Sequence, residues 1–156
     1  MCGCQAKPPG VRAEWQGKAL TAVYPYHREN GEVIGYAVRY DDSDGKAVIP
    51  YFIKAGQGWK SGAHPEPRPL YGLDRLAKNS DAHVLVVEGE KSADAAQRML
   101  GDEWAVVTWQ GGTGSVLKAD WTPLQGRSVV IWPDADDPGI KAAKNAKKAI
   151  FEAVGA

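Results

Sequence analysis

Cysteine is almost missing from this chain: Cys2 and Cys4, a C-x-C pair at the very start, are the 2 it has in 156 residues. Two thiols are too few for a four-cysteine zinc ribbon and stand too close for an ordinary disulfide. They read as free thiols of a reduced, intracellular protein, or as the remnant of a lost metal module. Net charge is missing too. The 19 Lys+Arg balance 19 Asp+Glu for a formal charge of zero, so bulk electrostatics selects neither a nucleic-acid nor a membrane partner. No apolar run approaches bilayer-crossing length and no signal-peptide pattern opens the chain, which gives the expectation of a cytoplasmic protein without a membrane partner. Internal repeats, low-complexity segments and a G-x-x-x-x-G-K-[ST] loop are likewise absent from the sequence.

What is present suits one domain of ordinary size or one with a small appended subdomain. Hydrophobic residues make up 44%, enough for a core, and 6 tryptophans add large surfaces for burial or stacking. Charge is unevenly spread: residues 1–80 hold 11 Lys+Arg against 8 Asp+Glu, residues 81–156 hold 8 against 11. Three rhythms follow one another. Residues 1–20, with "KPPG", have no sustained period and read as a tail or a loose first strand. Residues 21–54 contain three short β-rich runs split by Glu29-Asn30-Gly31 and Asp42-Ser43-Asp44-Gly45, the turn chemistry of an antiparallel meander. "AGQGWKSGAHPEPRP" (55–69) reads as a breaker-rich connection. Beyond it, "LYGLDRLAKN" suggests a short helix, "HVLVVEG" a buried strand and "KSADAAQRML" a helix. "WAVVTW" and "SVVIWP" read as two further strands, with a last helix from about Pro138 to Val154. Apolar strands alternating with helices predict an α/β unit with a mostly parallel sheet.

Carboxylates stand after two of those strands: Glu88 after "VLVV", and Asp134 and Asp136 after "SVVIW". In open α/β sheets ligands gather outside the carboxyl ends of the strands. Residues two apart in an extended segment face the same way, so Asp134 and Asp136 can address one point, with Glu88 joining from a neighbouring strand. Three such oxygens repel one another unless a cation sits between them, and Mg²⁺ is the natural one. The bland alternative is helix capping, with Asp137 before Pro138 as an N-cap and Ser92 as a cap after Glu88.

"VVEGEKSADAA" followed by "VVIWPDADDPGIKAA" resembles the toprim domain of primases, especially those of phages, plasmids and other mobile elements. The signature is Glu-Gly after one strand and Asp-x-Asp after another, with Gly five past the first Asp: here Glu88-Gly89, Asp134, Asp136 and Gly139. The likeness covers residues 83–150 and reaches weakly upstream, where "GEVIGYAVRY" puts Arg39 in the place of an arginine and "PRPLYGLDRLA" puts Arg68 beside the junction. The acidic residue expected four after Glu88 is replaced by Ser92, with Asp94 two further on. No strand follows Val154, so the chain reads as a fragment or a trimmed descendant, truncated at its C-terminal end.

The resemblance implies a Rossmann-like toprim fold over 81–156, preceded by a small antiparallel β-rich basic subdomain over 21–80 and a tail over 1–20. It also implies Mg²⁺-dependent nucleotidyl transfer (Mn²⁺ able to substitute), making short RNA primers on a single-stranded DNA template from ribonucleoside triphosphates, with a replicative helicase as a possible partner. Glu88, Asp134 and Asp136 would be both catalytic and metal-binding. Arg39, Lys54, Trp59, Arg68, Lys91 and Lys141 would meet nucleic acid or nucleotide. Cations alternating with Tyr36, Tyr40, Tyr51 and Trp59 suit a single-strand track, against the plain alternative that the rings are core. Lys141, Lys144 and Lys148 recur at helical spacing and equally suit a solvated face. "GGTGS" (111–115) is a turn or a phosphate loop, and His27, His64 and His83 have no ligand spacing. Two rival functions share the fold: a toprim nuclease, and a non-catalytic module that binds nucleic acid or a replication protein.

Overall fold

The first half is laid out by its turns. In the computed structural model, which describes residues 8–155, β1 (Glu14–Trp15), β2 (Lys18–His27), β3 (Val33–Asp42), β4 (Gly45–Lys54) and β5 (Gly58–Ser61) form a five-stranded antiparallel sheet in sequence order. Asp42 Oδ1 accepts the Asp44 N–H at 2.8 Å and Gly45 takes φ 138°. That combination closes the β3–β4 reversal where a side chain would be disfavoured. The meander is as expected but longer. Residues 18–20 belong to β2, and β5 lies inside the 55–69 stretch expected to be irregular. Gly56 and Gly58, both at φ 71°, make a tight hairpin that pairs Ile53 with Trp59. The breakers therefore build a strand pair rather than prevent one. The thiols of Cys2 and Cys4 lie outside the described residues.

Strand parity decides what each face of this sheet carries. On β3, Tyr36, Val38 and Tyr40 pack outward with Val11, Tyr51 and Trp59, while Ala37 turns inward with Tyr24 and Tyr26. The inner face meets the second half of the chain.

That half runs α1 (Leu73–Lys78), β6 (His83–Val87), α2 (Glu90–Leu100), β7 (Trp104–Val107), β8 (Val129–Trp132) and α3 (Asp137–Val154). The strands form a parallel sheet in the order β7-β6-β8, as βαβ connections require. Val84, Val86, Val129 and Ile131 face α3, whose Ala142, Ala146 and Ile150 complete one core. Leu85, Val87 and Val106 face the other way and share a second core with Tyr26, Ala37 and Ala93. Each fully buried valine here contributes roughly 1.5–3 kcal/mol. Residues 62–72 cross between the sheets as an extended arm, with Tyr71 and Thr108 exchanging backbone hydrogen bonds at 2.8 and 3.2 Å.

β8 is a strand as expected, but its apolar run is only half covered. It is the sheet's free edge, and α2 covers β6 and β7 instead. Val129 and Ile131 pack on α3, but Val130 is 45% and Trp132 70% exposed. No helix among the described residues is long and apolar enough to cross a membrane.

Candidate active site

β6 and β8 are hydrogen-bonded neighbours whose last residues, Val87 and Trp132, lie opposite each other. Glu88 follows β6 directly and Asp134 follows β8 after Pro133, so the parallel sheet delivers two acids to one edge. Gly89, at φ 81°, turns the chain sharply into α2. On the other side Asp136 is the N-cap of α3: its Oδ1 accepts the Gly139 N–H at 2.7 Å. The cap therefore falls one residue before the expected Asp137, which together with Pro138 forms the first turn. Ser92 caps nothing, since α2 starts at Gly89 without a side-chain cap. A Cβ on Gly139 would lie 2.6 Å from Asp134 O and 2.9 Å from both Asp134 Cβ and Asp136 Oδ1. Only glycine lets the acidic loop fold onto the helix at this point.

Burial raises the Glu88 carboxyl above its ordinary value, and the charges of Asp134 and then Asp136 add to the effect; Lys46 and the Thr113 backbone act in the opposite direction. Glu88 therefore lies within electrostatic reach of both aspartates. They do not form a ready cage: among the described residues no group of three or more His, Cys, Asp or Glu side chains is set to hold a metal ion. Asp136 has one oxygen committed to its cap. Glu88 and Asp134 line a common cleft of about 520 Å³, which Asp136 does not. Two carboxylates completed by waters and substrate phosphates are a normal Mg²⁺ donor set, so these residues fit the ion.

The opposite wall of the cleft is the inner face of the antiparallel sheet, with Tyr24, Arg39 and Lys46; Lys91 and the Gly111-Gly112 turn lie along it as well. Arg39 is already engaged. Its Nε and Nη2 donate to the Asp41 carboxylate at 2.7–3.0 Å, the Thr21 hydroxyl donates to the same group, and together they hold the Asp41 carboxyl down at about 2. Lys46 and Lys91 make no ion pair among the described residues. Lys46 was not singled out from sequence. Its signal is hairpin register, which sets it opposite Asp41, two residues along β3 from Arg39.

The other expected contacts lie elsewhere. Trp59 packs on Tyr36, ring centroids 5.1 Å apart, on the outer face of the sheet. The expected track of Arg39 with Tyr36, Tyr40, Tyr51 and Trp59 is therefore split, because strand alternation sends the arginine and the rings to opposite sides. Lys54 is exposed at the end of β4, outside the cleft lining. The Arg68 guanidinium is largely buried, with Nη1 donating to Ser115 Oγ at 3.4 Å and Nη2 3.7 Å from Glu66. It braces the glycine loop. Lys141 lines a separate groove with Thr113, Gly114 and Leu117.

Sequence reasoning also passed over the pins that set the cleft. Tyr26 is fully buried and its hydroxyl donates to Glu90 Oε1 at 2.7 Å, tying the antiparallel sheet to the start of α2. Asp94 accepts from the Tyr71 hydroxyl at 2.9 Å and pairs with Arg75, and it does not line the acid cleft. His64, assigned no role, links both halves. Its Nε2–H donates to Ile34 O at 3.0 Å, while its backbone N–H donates to Gln110 Oε1, also at 3.0 Å.

No protein-family model and no curated protein matches the sequence. Among solved structures, the chain is similar to the primase fragment of the bacteriophage T7 primase-helicase, with TM-score 0.59 and 21% identity over 87% of this chain and 51% of that one. A second match is an assembly of the bacteriophage T7 lagging-strand DNA polymerase with primase domains bound to an RNA/DNA hybrid and dTTP, with TM-score 0.58 and 20% identity over 87% of this chain and 63% of that one. The chain thus spans about half to two-thirds of these structures. The E. coli primase catalytic core is matched at TM-score 0.39 and 15% identity, too low to bear on the fold. A parallel sheet ending in Glu88 and Asp134, faced by an antiparallel sheet, together with these superpositions, gives this chain the toprim-type fold of primases.

Proposed function

We propose that the chain is a Mg²⁺-dependent nucleotidyl transferase of primase type, joining ribonucleotides on a single-stranded DNA template. The observation that carries this reading is the placement of Glu88 and Asp134 at the ends of two adjacent parallel strands, where both line one cleft. In the reaction a 3′-hydroxyl attacks the α-phosphate of the incoming nucleotide and pyrophosphate leaves. When bound, Mg²⁺ (or Mn²⁺) supplies charge neutralisation for the triphosphate and acidifies the attacking hydroxyl. Glu88 and Asp134 would hold it from two strands, and Asp136 would add negative charge beside them while fixing the start of α3. By resemblance Glu88 also takes up the proton of the hydroxyl. Lys46 and Lys91 meet phosphate oxygens from the walls of the cleft, with Arg39 held beside them by Asp41.

A second reading is favoured by the Asp136 cap, which leaves the acids short of a three-ligand set: a module that binds nucleic acid without chemistry. Incubation of the chain with an oligonucleotide template, labelled ribonucleotides and Mg²⁺ or Mn²⁺ separates the two. The transferase yields short RNA that disappears in Asp134→Ala. Absence of product, with template binding unchanged in Asp134→Ala, establishes the binding module. Template degradation without nucleotides would instead identify a nuclease.

A further inference from the structure

Among the six tryptophans one stands apart. Trp109 and Trp121 are buried and Trp15, Trp59 and Trp104 partly buried, whereas Trp132 is 70% exposed. Its position is set by register. Val87 lies opposite it on β6 and directly precedes Glu88, and Asp134 follows it by two residues. The Trp132 backbone therefore lies one strand spacing, roughly 5 Å, from that of Val87, at the end of the sheet that carries the acids. The indole shares a sheet face with Val130, Leu85 and Val87, the side that carries α2 and the antiparallel sheet, but those elements cover only β6 and β7. The result is an exposed apolar edge, Val130 and Trp132, that ends two residues before Asp134; Asp134 lines the cleft together with Lys46 and Lys91, neither of which makes an ion pair among the described residues.

An exposed aromatic plane next to phosphate-binding cations has the chemistry of a single-strand track, where a ring stacks a base and lysines meet the backbone. We propose that Trp132, flanked by Val130, is a stacking platform for an unpaired base of single-stranded DNA led into the Glu88–Asp134 cleft. This rests on the nucleic-acid reading above but needs neither the metal nor catalysis. It replaces Trp59, which the fold turns away from the cleft, as the base-stacking tryptophan.

The test uses the full chain in EDTA with fluorescein-labelled dT15. Trp132 is the most exposed indole, so dT15 should quench the intrinsic fluorescence of the wild type and leave that of Trp132→Phe nearly unchanged. By anisotropy, Trp132→Phe should bind within about threefold of wild type and Trp132→Ala roughly 5- to 20-fold more weakly, the range of one lost stacking contact. The exposed position should leave the circular dichroism melting curve of both variants unaltered. Three results overturn the proposal. They are wild-type affinity in Trp132→Ala or no dT15 binding by the wild type, quenching by ATP as complete as by dT15, and a wild-type dimer that Trp132→Ala converts to monomer in sedimentation, which makes the apolar edge an interface between copies. Trp132-dependent dT15 binding without any primer synthesis sinks the transferase reading and leaves the platform standing.

Discussion

Single residues at the acid edge carry effects that run against their usual sign. Alanine is ordinarily worth about 1 kcal/mol over glycine inside a helix. At Gly139 the new methyl would meet Asp134 and Asp136 below 3 Å, so Gly139→Ala should destabilise by about 1–3 kcal/mol. A melting curve lower by roughly 2–10 °C is the readout. Glu88→Gln should move the other way at pH 7, raising the melting temperature while abolishing primer synthesis. The folded Glu88 carboxyl is raised above 4.5. Between 4.5 and that higher value the native chain holds more protons than the unfolded one, so ionised Glu88 costs stability above the window and nothing below it. The advantage of glutamine should therefore vanish as the melt is repeated towards pH 4. The spacing of Glu-Gly and Asp-x-Asp made these acids legible in sequence. The capping duty of Asp136 was not, because Asp136 and Asp137 are chemically equal candidates until the helix start is fixed in space.

At the scale of elements, the β3–β4 hairpin and α2 are joined to the cleft by polar pins. Loss of the Tyr26 hydroxyl would leave Glu90 partly buried without its donor. Tyr26→Phe should cost roughly 1–3 kcal/mol in urea denaturation and weaken template binding by loosening the start of α2. Equal urea midpoints for variant and wild type would show that Glu90 finds water instead. The element pattern itself was largely readable: three strands of a meander, alternating strands and helices, and the last helix all follow from turn residues and period. What escaped was order within a sheet. "VVIW" reads as a core strand, and only the arrangement β7-β6-β8 makes it an edge with Trp132 open. Likewise the aromatic and basic residues of β3 and β5 are neighbours in sequence and strangers across the sheet, because alternation sends them to opposite faces.

Across the whole molecule the two sheets share one cluster, Tyr26 and Ala37 from the first half packing with Leu85, Val87 and Val106 from the second, and His64 is bonded to both. Burial pushes the His64 imidazole below its ordinary 6.5, so between that lowered value and 6.5 the unfolded chain binds the extra proton. Stability should be complete above pH 6.5 and fall as the pH drops through that window. A melting series from pH 7.5 to 5.5 should show the decline in the wild type and a flatter profile in His64→Gln. Nothing in the sequence singled out this histidine, since its two partners, Ile34 and Gln110, lie 30 and 46 residues away.

The closed Arg39–Asp41 pair has a consequence for how the chain responds to ionic strength. An arginine already neutralised by its own carboxylate releases no counterions when a polynucleotide arrives. That leaves Lys46 and Lys91 as the cleft cations whose phosphate contacts displace condensed ions. A plot of log affinity against log salt for single-stranded DNA should then have a slope of only about −1.4, two contacts at about −0.7 each. Breaking the pair with Asp41→Asn should steepen it by about one further contact.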